Sequence, residues 1–517
     1  MFSKLTFAQK LGIWLGSAVL FEVVVIAAIC FHLSKNGPPK DLERFIDREV
    51  FYRRYYDDKD WQKEEHRASG QISAHPKSGF WYAERGHIRW NLKNYSGAEH
   101  DYDNAYRLDP TDYKSLSNRG AMRSLQGNHT IGLDDVNKAI SMKPSQGWLY
   151  ANRGYIYFSL GKYDDALKDF DKCLETSDEK RRYHAEKARI YMAMQRFDKA
   201  VTEYEKGVSY SKTTRDDDSY KRLVRLYISV GEIEKAQQAC QHWLEEPEID
   251  SERFRIAANV SQALGDKHTE TEIYDKYAAF LDNKIGLAPT EMKLYEQRAE
   301  VYEKLGDSEK ARADYKEILE DYQRNKSKAV YTPPQLIRFG EMYELIGLKD
   351  EMQKLFKSEI ANYDSQIKQY PKNGYGYLNR AELYAKLGNE KAAMHDFETA
   401  KKLQDSSSIA NAWARFALKK GKYDLALMLR QEFLGTHNAH SYSALAEVWE
   451  AKGNHSAALG AANTALTLDR FLPDAYYWLG KARAGQGDFA ESKRRLQQAT
   501  AFGYDPAASE DEGSDED

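Results

Sequence analysis

Cysteine is nearly absent from this chain. Cys30, Cys173 and Cys240 are the three among 517 residues, and they show no metal-ligand spacing. That excludes a disulfide framework and favours a reducing compartment. A charge excess is missing too: 76 Lys and Arg against 80 Asp and Glu leave a net charge of −4, so no general attraction for nucleic acid is expected. Catalytic signatures are also lacking. There is no paired-cysteine, His-Glu-x-x-His, Gly-x-Ser-x-Gly or phosphate-loop pattern. Gly374-x-Gly376 lacks the third glycine and the preceding strand of a dinucleotide site. The 13 histidines are scattered, with no pair at metal spacing on one helix face. The chain is therefore expected to carry no metal, no cofactor and no nucleic acid, and not to be an enzyme.

Long apolar runs are absent except for one, Leu11 to Phe31, reading LGIWLGSAVLFEVVVIAAICF. About 20 apolar residues span a bilayer core as a helix; a cleavable signal peptide is the alternative, though the run is long for one and no small-residue cleavage pattern follows it. Residues 11–33 are expected to form a single transmembrane anchor after a tail of residues 1–10. Glu22 lies mid-span, either paired with a partner helix or protonated or snorkelling on a lone anchor. Lys4 and Lys10 flank one side and Lys35, Lys40, Arg44 and Arg48 the other. The basic excess leans toward a cytosolic body, with an extracytoplasmic or periplasmic body as the alternative. Residues 34–44 read as a linker, and the acidic stretch 504–517, ending ASEDEGSDED, as a disordered tail.

What the chain does have is repetition. Gly86, Gly120, Gly154 and Ala188 stand 34 residues apart, and small residues recur at Ala258, Ala299, Gly340, Ala381, Ala414, Ala446 and Gly480, with Val224 bulkier. From Gly120 on, each is followed by a turn glycine from Gly127 to Gly487, with Gln195 standing in once. Apolar positions at helical spacing break at each glycine and resume, which predicts two short amphipathic helices per period. Second-helix pairs such as Ala98/Tyr102, Ala166/Phe170 and Ala311/Tyr315 follow, and Pro110 and Pro144 close units. This pattern resembles the tetratricopeptide repeat. It implies an all-α superhelical solenoid of about twelve helix-turn-helix units after the single transmembrane helix. Regular units are expected over 79–257, longer ones over 258–380, where the small positions stand 41 apart, and C-terminal units over 381–503. The surplus is about two helical turns and belongs in second helices such as Lys354 to Tyr370. Residues 45–78 read either as juxtamembrane helices or as a degenerate first repeat.

The resemblance implies function by presented surface. Its first helices line a concave face, and the positions that point into it are Phe80, Glu84, His87, Lys114, Asn118, Ala121, Trp148, Asn152, Tyr155, Arg182, Glu186 and Arg189. Of these, Phe80, Glu84, Asn118, Trp148, Asn152, Tyr155, Arg182 and Arg189 form the candidate partner-binding set. Asn118 and Asn152 make a ladder, with Asn379 at the same offset, that suits an extended peptide backbone. Alternatively, the recurring Asn is a packing preference of the repeat. Trp148 reads as an aromatic anchor without a core role. Arg119 and Arg153 share an offset that faces the neighbouring helix and read as structural. The carboxylate clamp of some co-chaperone relatives is not expected, because Ala83 and His87 occupy its Lys and Asn places. The function expected is a membrane-anchored scaffold or adaptor that binds protein or peptide partners and assists assembly of a complex. The alternative is an enzyme or enzyme subunit using the groove in envelope polysaccharide or protein maturation.

Overall fold

The computed structural model describes residues 58–210, 218–245, 250–327, 329, 331–432, 434 and 438–505. The apolar run Leu11 to Phe31, its flanking tail and linker, and the acidic segment beyond 505 lie outside the described residues. Among the described residues, no helix is long and apolar enough to cross a membrane. The chain divides into two compact units, up to Ser177 and from Asp178.

The first unit holds seven helices: α1 (Asp58–Ala74), α2 (Gly79–Asn91), α3 (Tyr95–Leu108), α4 (Tyr113–Leu125), α5 (His129–Met142), α6 (Gly147–Ser159) and α7 (Tyr163–Thr176). After α1 they form antiparallel pairs, one per repeat. Each pair forms because its turn residue adopts the left-handed conformation that ends the first helix, with φ 88° at Gly127 and 69° at Gly161. Lys93 takes the same turn at φ 59° without a glycine's freedom. The crossings are close. A Cβ on Gly120 would sit 2.6 Å from the Gly132 carbonyl oxygen, and one on Gly154 would sit 3.1 Å from the Phe170 ring. Helix α1 packs Trp61 and Ala68 beside Ile88 of α2, the place a preceding second helix would take.

The second unit begins with α8 (Lys180–Ala193), α9 (Phe197–Ser209), α10 (Asp218–Val230), α11 (Ile233–Glu245), α12 (Ser251–Leu264) and α13 (Lys267–Leu287). It continues with α14 (Met292–Leu305), α15 (Ser308–Asn325), α16 (Pro333–Leu345), α17 (Lys349–Gln369), α18 (Gly374–Lys386) and α19 (Glu390–Leu403). It ends with α20 (Ser407–Lys419), α21 (Tyr423–Glu432), α22 (Ala439–Ala451), α23 (His455–Leu468), α24 (Pro473–Gly485) and α25 (Phe489–Ala501). With the three pairs of the first unit, these make twelve pairs among the described residues. Gln195 takes the turn position with φ 58°, as its glycine equivalents do. The extra residues of the 41-residue spacings lengthen second helices. Helices α13 and α17 run 21 residues and α15 runs 18, against 14 in α3, α5 and α7.

Within the second unit the solenoid returns on itself. Helix α25 packs on α10 and α12, and Ala501 joins the apolar cluster that runs from Ala188 to Val301. The seam uses the last carbonyls of α10, which have no partner inside their own helix and mark its negative end. The Gln498 side-chain amide donates to Ile228 O at 2.8 Å and to Ser229 O at 3.1 Å. Arg470 donates to the Ser229 hydroxyl at 3.1 Å, and Arg494 to Val230 O at 3.1 Å. Lys304 pairs with Asp505 at 2.7 Å on the same side.

Candidate functional site

The first helices of the first unit are held in rotation by a ladder of arginines. Arg119 on α4 forks onto Asp135 of α5 at 2.8 and 2.7 Å and reaches back 2.6 Å to Asp103 of α3. Arg153 repeats this with Asp169 at 2.9 and 2.7 Å and with Asn137 at 2.8 Å. Arg85 does so with Asp101 at 2.8 and 2.7 Å and with Ser69 of α1 at 3.1 Å. Two planar N–H donors match two carboxylate oxygens, so each fork fixes direction as well as distance. The hydrogen bonds to Asp135 hold the Arg119 guanidinium above its ordinary pKa, as those to Asp169 do for Arg153. Arg119 and Arg153 are thus structural, as their offset implies. A second row binds one pair further back: Arg89 to Glu65 at 2.7 Å and Arg123 to Glu99 at 2.9 Å. The intervals of 16 and 24 residues behind these contacts were visible in the sequence as Arg and acid at fixed offsets in a 34-residue period.

Six of the candidate binding residues lie in this unit. Phe80 is 43% exposed at the start of α2, edge-on to Trp81. Glu84 and Tyr155 are half-buried, and Tyr155 packs edge-on against Phe170 at 5.3 Å. Trp148 departs from the expected open anchor. It is half-buried, its ring lies 6.2 Å from that of Tyr113, and it packs on the cluster around Leu116 and Leu149. Asn152 departs as well, because its amide donates to the Ser117 hydroxyl of the preceding repeat at 3.0 Å. The residue equivalent to Ser117 one repeat earlier is Ala83, which has no hydroxyl. Asn118 accordingly sits half-buried with no side-chain hydrogen bond among the described residues. The ladder of asparagines is therefore not uniform: one amide is bound within the protein and one is available. Asn379, further on, hydrogen-bonds Tyr363.

Arg182 and Arg189 lie in the second unit, on α8. Both are exposed, and each has a carboxylate one helical turn away, Glu179 at 3.1 Å and Glu186 at 2.7 Å. Their charge is locally balanced. At the ladder position of this first pair stand Lys187 and Glu203 instead of Arg and Asp, 3.4 Å apart. Burial alone would raise the Glu203 pKa. Hydrogen bonds from His184 at 2.8 Å and Lys206 at 3.1 Å, with the charge of Lys187, hold it down at about 2. Sequence reasoning missed a further charged group near the end of the unit. Burial lowers Arg430 to about 10 and raises Glu447 and Asp474. Arg430 donates to Asn411 at 2.9 Å, while its Nε is buried without a partner. These groups come from α20, α21, α22 and α24, so no local motif announced them.

The tetratricopeptide repeat family matches residues 82–112, 147–177, 182–214, 293–320, 375–406 and 474–501. Those stretches are tetratricopeptide repeats, in both units. No curated protein matches the sequence. Among solved structures, yeast Tom70 is similar at 18% identity over 81% of this chain and 84% of that one, with a TM-score of 0.28. Naa15/Naa10 bound to HypK-THB gives 14% identity over 86% of this chain and 79% of that one, with a TM-score of 0.26. Pseudomonas aeruginosa PilF gives 14% identity over 43% of this chain and 97% of that one, with a TM-score of 0.32. Superpositions of that quality carry no argument about function.

Proposed function

Because the chain carries tetratricopeptide repeats in both units, we propose that it is a membrane-tethered adaptor. Its first unit holds an extended peptide segment of a partner protein and so assists assembly of a complex. The observation that carries this reading is Asn118. Its amide offers a donor and an acceptor, is half-buried on a first helix, and has no hydrogen bond among the described residues. A peptide backbone needs that pair of groups, and an unmet polar group near the surface gains most from it. Arg119, its neighbour in sequence, fixes the rotation of α4, so the backbone that carries the amide is already ordered. Exposed Phe80 supplies apolar contact earlier in the same unit. The tether is Leu11 to Phe31, with the body leaning to the cytosolic side.

The test uses the full chain in its membrane. A photo-crosslinker at Asn118 should trap a partner, and Phe80→Ala with Asn118→Ala should weaken capture at least about tenfold while leaving the helical melt unchanged. Neither side chain anchors the core. Trp148→Ala is a poorer probe, since it would also open the packing on Tyr113. Undiminished capture by the double variant would remove this face from consideration. Protease added outside sealed cells should spare the repeats. Cleavage before lysis would place the body on the other side of the membrane.

A further inference from the structure

The seam of the second unit borders an open cleft of about 580 Å³. Its walls bring together two stretches far apart in sequence. Arg196 and Lys199 come from the start of α9, and Arg470, Arg494 and Arg495 from the last repeats, beside Ser229 at the end of α10. Five cations face two carboxylates, Asp198 in the wall and Glu491, which takes Arg495 at 2.6 Å and Arg494 at 3.3 Å. Among the described residues, Arg196, Lys199 and Arg470 have no carboxylate partner. Helix α9 adds to the field. Its N-cap is Arg196, whose side chain cannot accept a hydrogen bond, so its first-turn amides are uncapped. Like charges gathered this way repel one another until an anion enters.

We propose that this cleft binds a compact anion carrying several phosphate groups, and that such an anion clasps the seam shut. The volume falls within the range of small-ligand sites. Arginine forks match the oxygen edges of phosphate. The aromatic ring in the wall, Phe197, has the Arg470 guanidinium over it at 3.6 Å and packs on the neighbouring apolar cluster, so it offers little area for a nucleobase to stack on. The site selects charge density rather than apolar area. Because its cations belong to both sides of the seam, a bound anion adds its binding free energy to closure.

Tripolyphosphate titrated into the full chain by calorimetry, at physiological salt, is the probe. Binding should be detectable below about 1 mM and should slow amide exchange in α25. Arg196→Ala with Lys199→Ala, which leaves every seam hydrogen bond intact, should weaken it at least tenfold. Lys276→Ala with Lys316→Ala, which removes equal charge elsewhere, should not. A doubly phosphorylated peptide then separates a protein-borne source from a free one: tighter binding than tripolyphosphate assigns the phosphates to a partner chain. No binding at about 1 mM, or equal binding by both double variants, overturns the proposal. So does tighter binding of an unphosphorylated peptide copying Ala508 to Asp517, which would make the cleft an acidic-peptide site.

Discussion

The two units solve one packing problem with opposite chemistry. In the first, the position just before each small residue is arginine, and the residue 16 further on is aspartate: Arg85/Asp101, Arg119/Asp135 and Arg153/Asp169. In the second, the same two positions hold Leu223/Ala239, Ala257/Ile273, Trp413/Leu429 and Leu445/Ala461, each pair sharing an apolar cluster. Arg298/Asp314 and Arg380/Asp396 revert to the ionic form beside the long helices. In all of these the pair changes together, from both charged to both apolar; the last repeat alone mixes them, with Leu479 in an apolar cluster and Arg495 half-exposed and paired with Glu491 instead. A half-exchanged pair would leave a charge shut away from water, and that is the expensive state; either matched state is tolerated. The ionic version also reaches back to the preceding repeat, through Asp103, Asn137, Asp282 and Asp364. It therefore couples neighbours where the apolar version needs larger side chains to do so.

Breaking one partner gives the largest expected effect. Asp135→Ala takes the fork from Arg119 and one contact from Arg123, leaving them only Asp103 and Glu99, and should destabilise the first unit by about 3 kcal/mol, read from urea unfolding. Overpacking the crossings comes next. Gly120→Ala presses a methyl on the backbone carbonyl of Gly132, so it should cost about 1–3 kcal/mol. Gly154→Ala meets side chains, the Phe170 ring and Asp169, rather than backbone and should cost less, while Gly154→Leu should reach the Gly120→Ala range. If the order were reversed, the backbone at Gly120 would be yielding. Converting a whole pair should matter least at neutral pH. Arg153→Leu with Asp169→Leu should stay within about 1 kcal/mol of the parent, because Asn137 lies exposed and regains water. A loss as large as that of Asp169→Ala alone would mean that the two chemistries are not equivalent.

Acid should sharpen the contrast from the other side. Glu203 has its pKa depressed from 4.5 to about 2, so its contribution is full above about 4.5 and fades as pH falls toward 2. The urea midpoint of the parent should drop between pH 5 and pH 3 more than that of Glu203→Gln. Equal drops would show that Glu203 is not the group responsible.

The repeat was legible because its punctuation is local. A glycine that must take positive φ, and a small residue where two helices cross, declare themselves within one period, and even Gln195 was placed by its register. The binding face was less legible, and for a specific reason. Whether an asparagine is free depends on a residue 35 positions earlier: Ser117 holds Asn152, while Ala83 leaves Asn118 unheld. Trp148 was misread for the same cause, since Tyr113 comes from the repeat before. The seam was not legible at all. Gln498 meets Ser229 only because small rotations accumulate over eight helix pairs, and no single repeat encodes that sum.

That seam also sets a timetable. Gln498 and Ser229 stand 269 residues apart. A ribosome takes roughly 15–50 s to cover that distance. Through that interval each helix pair can stack on its predecessor, but the end carbonyls of α10 have no Gln498 or Arg494 to accept from. The last link to be synthesised completes the oldest contact, so closure reports that the whole unit has been made. A chain stalled before Arg470 would lack three of the wall's five cations and leave the end of α10 bare, a surface by which an unfinished copy differs from a finished one.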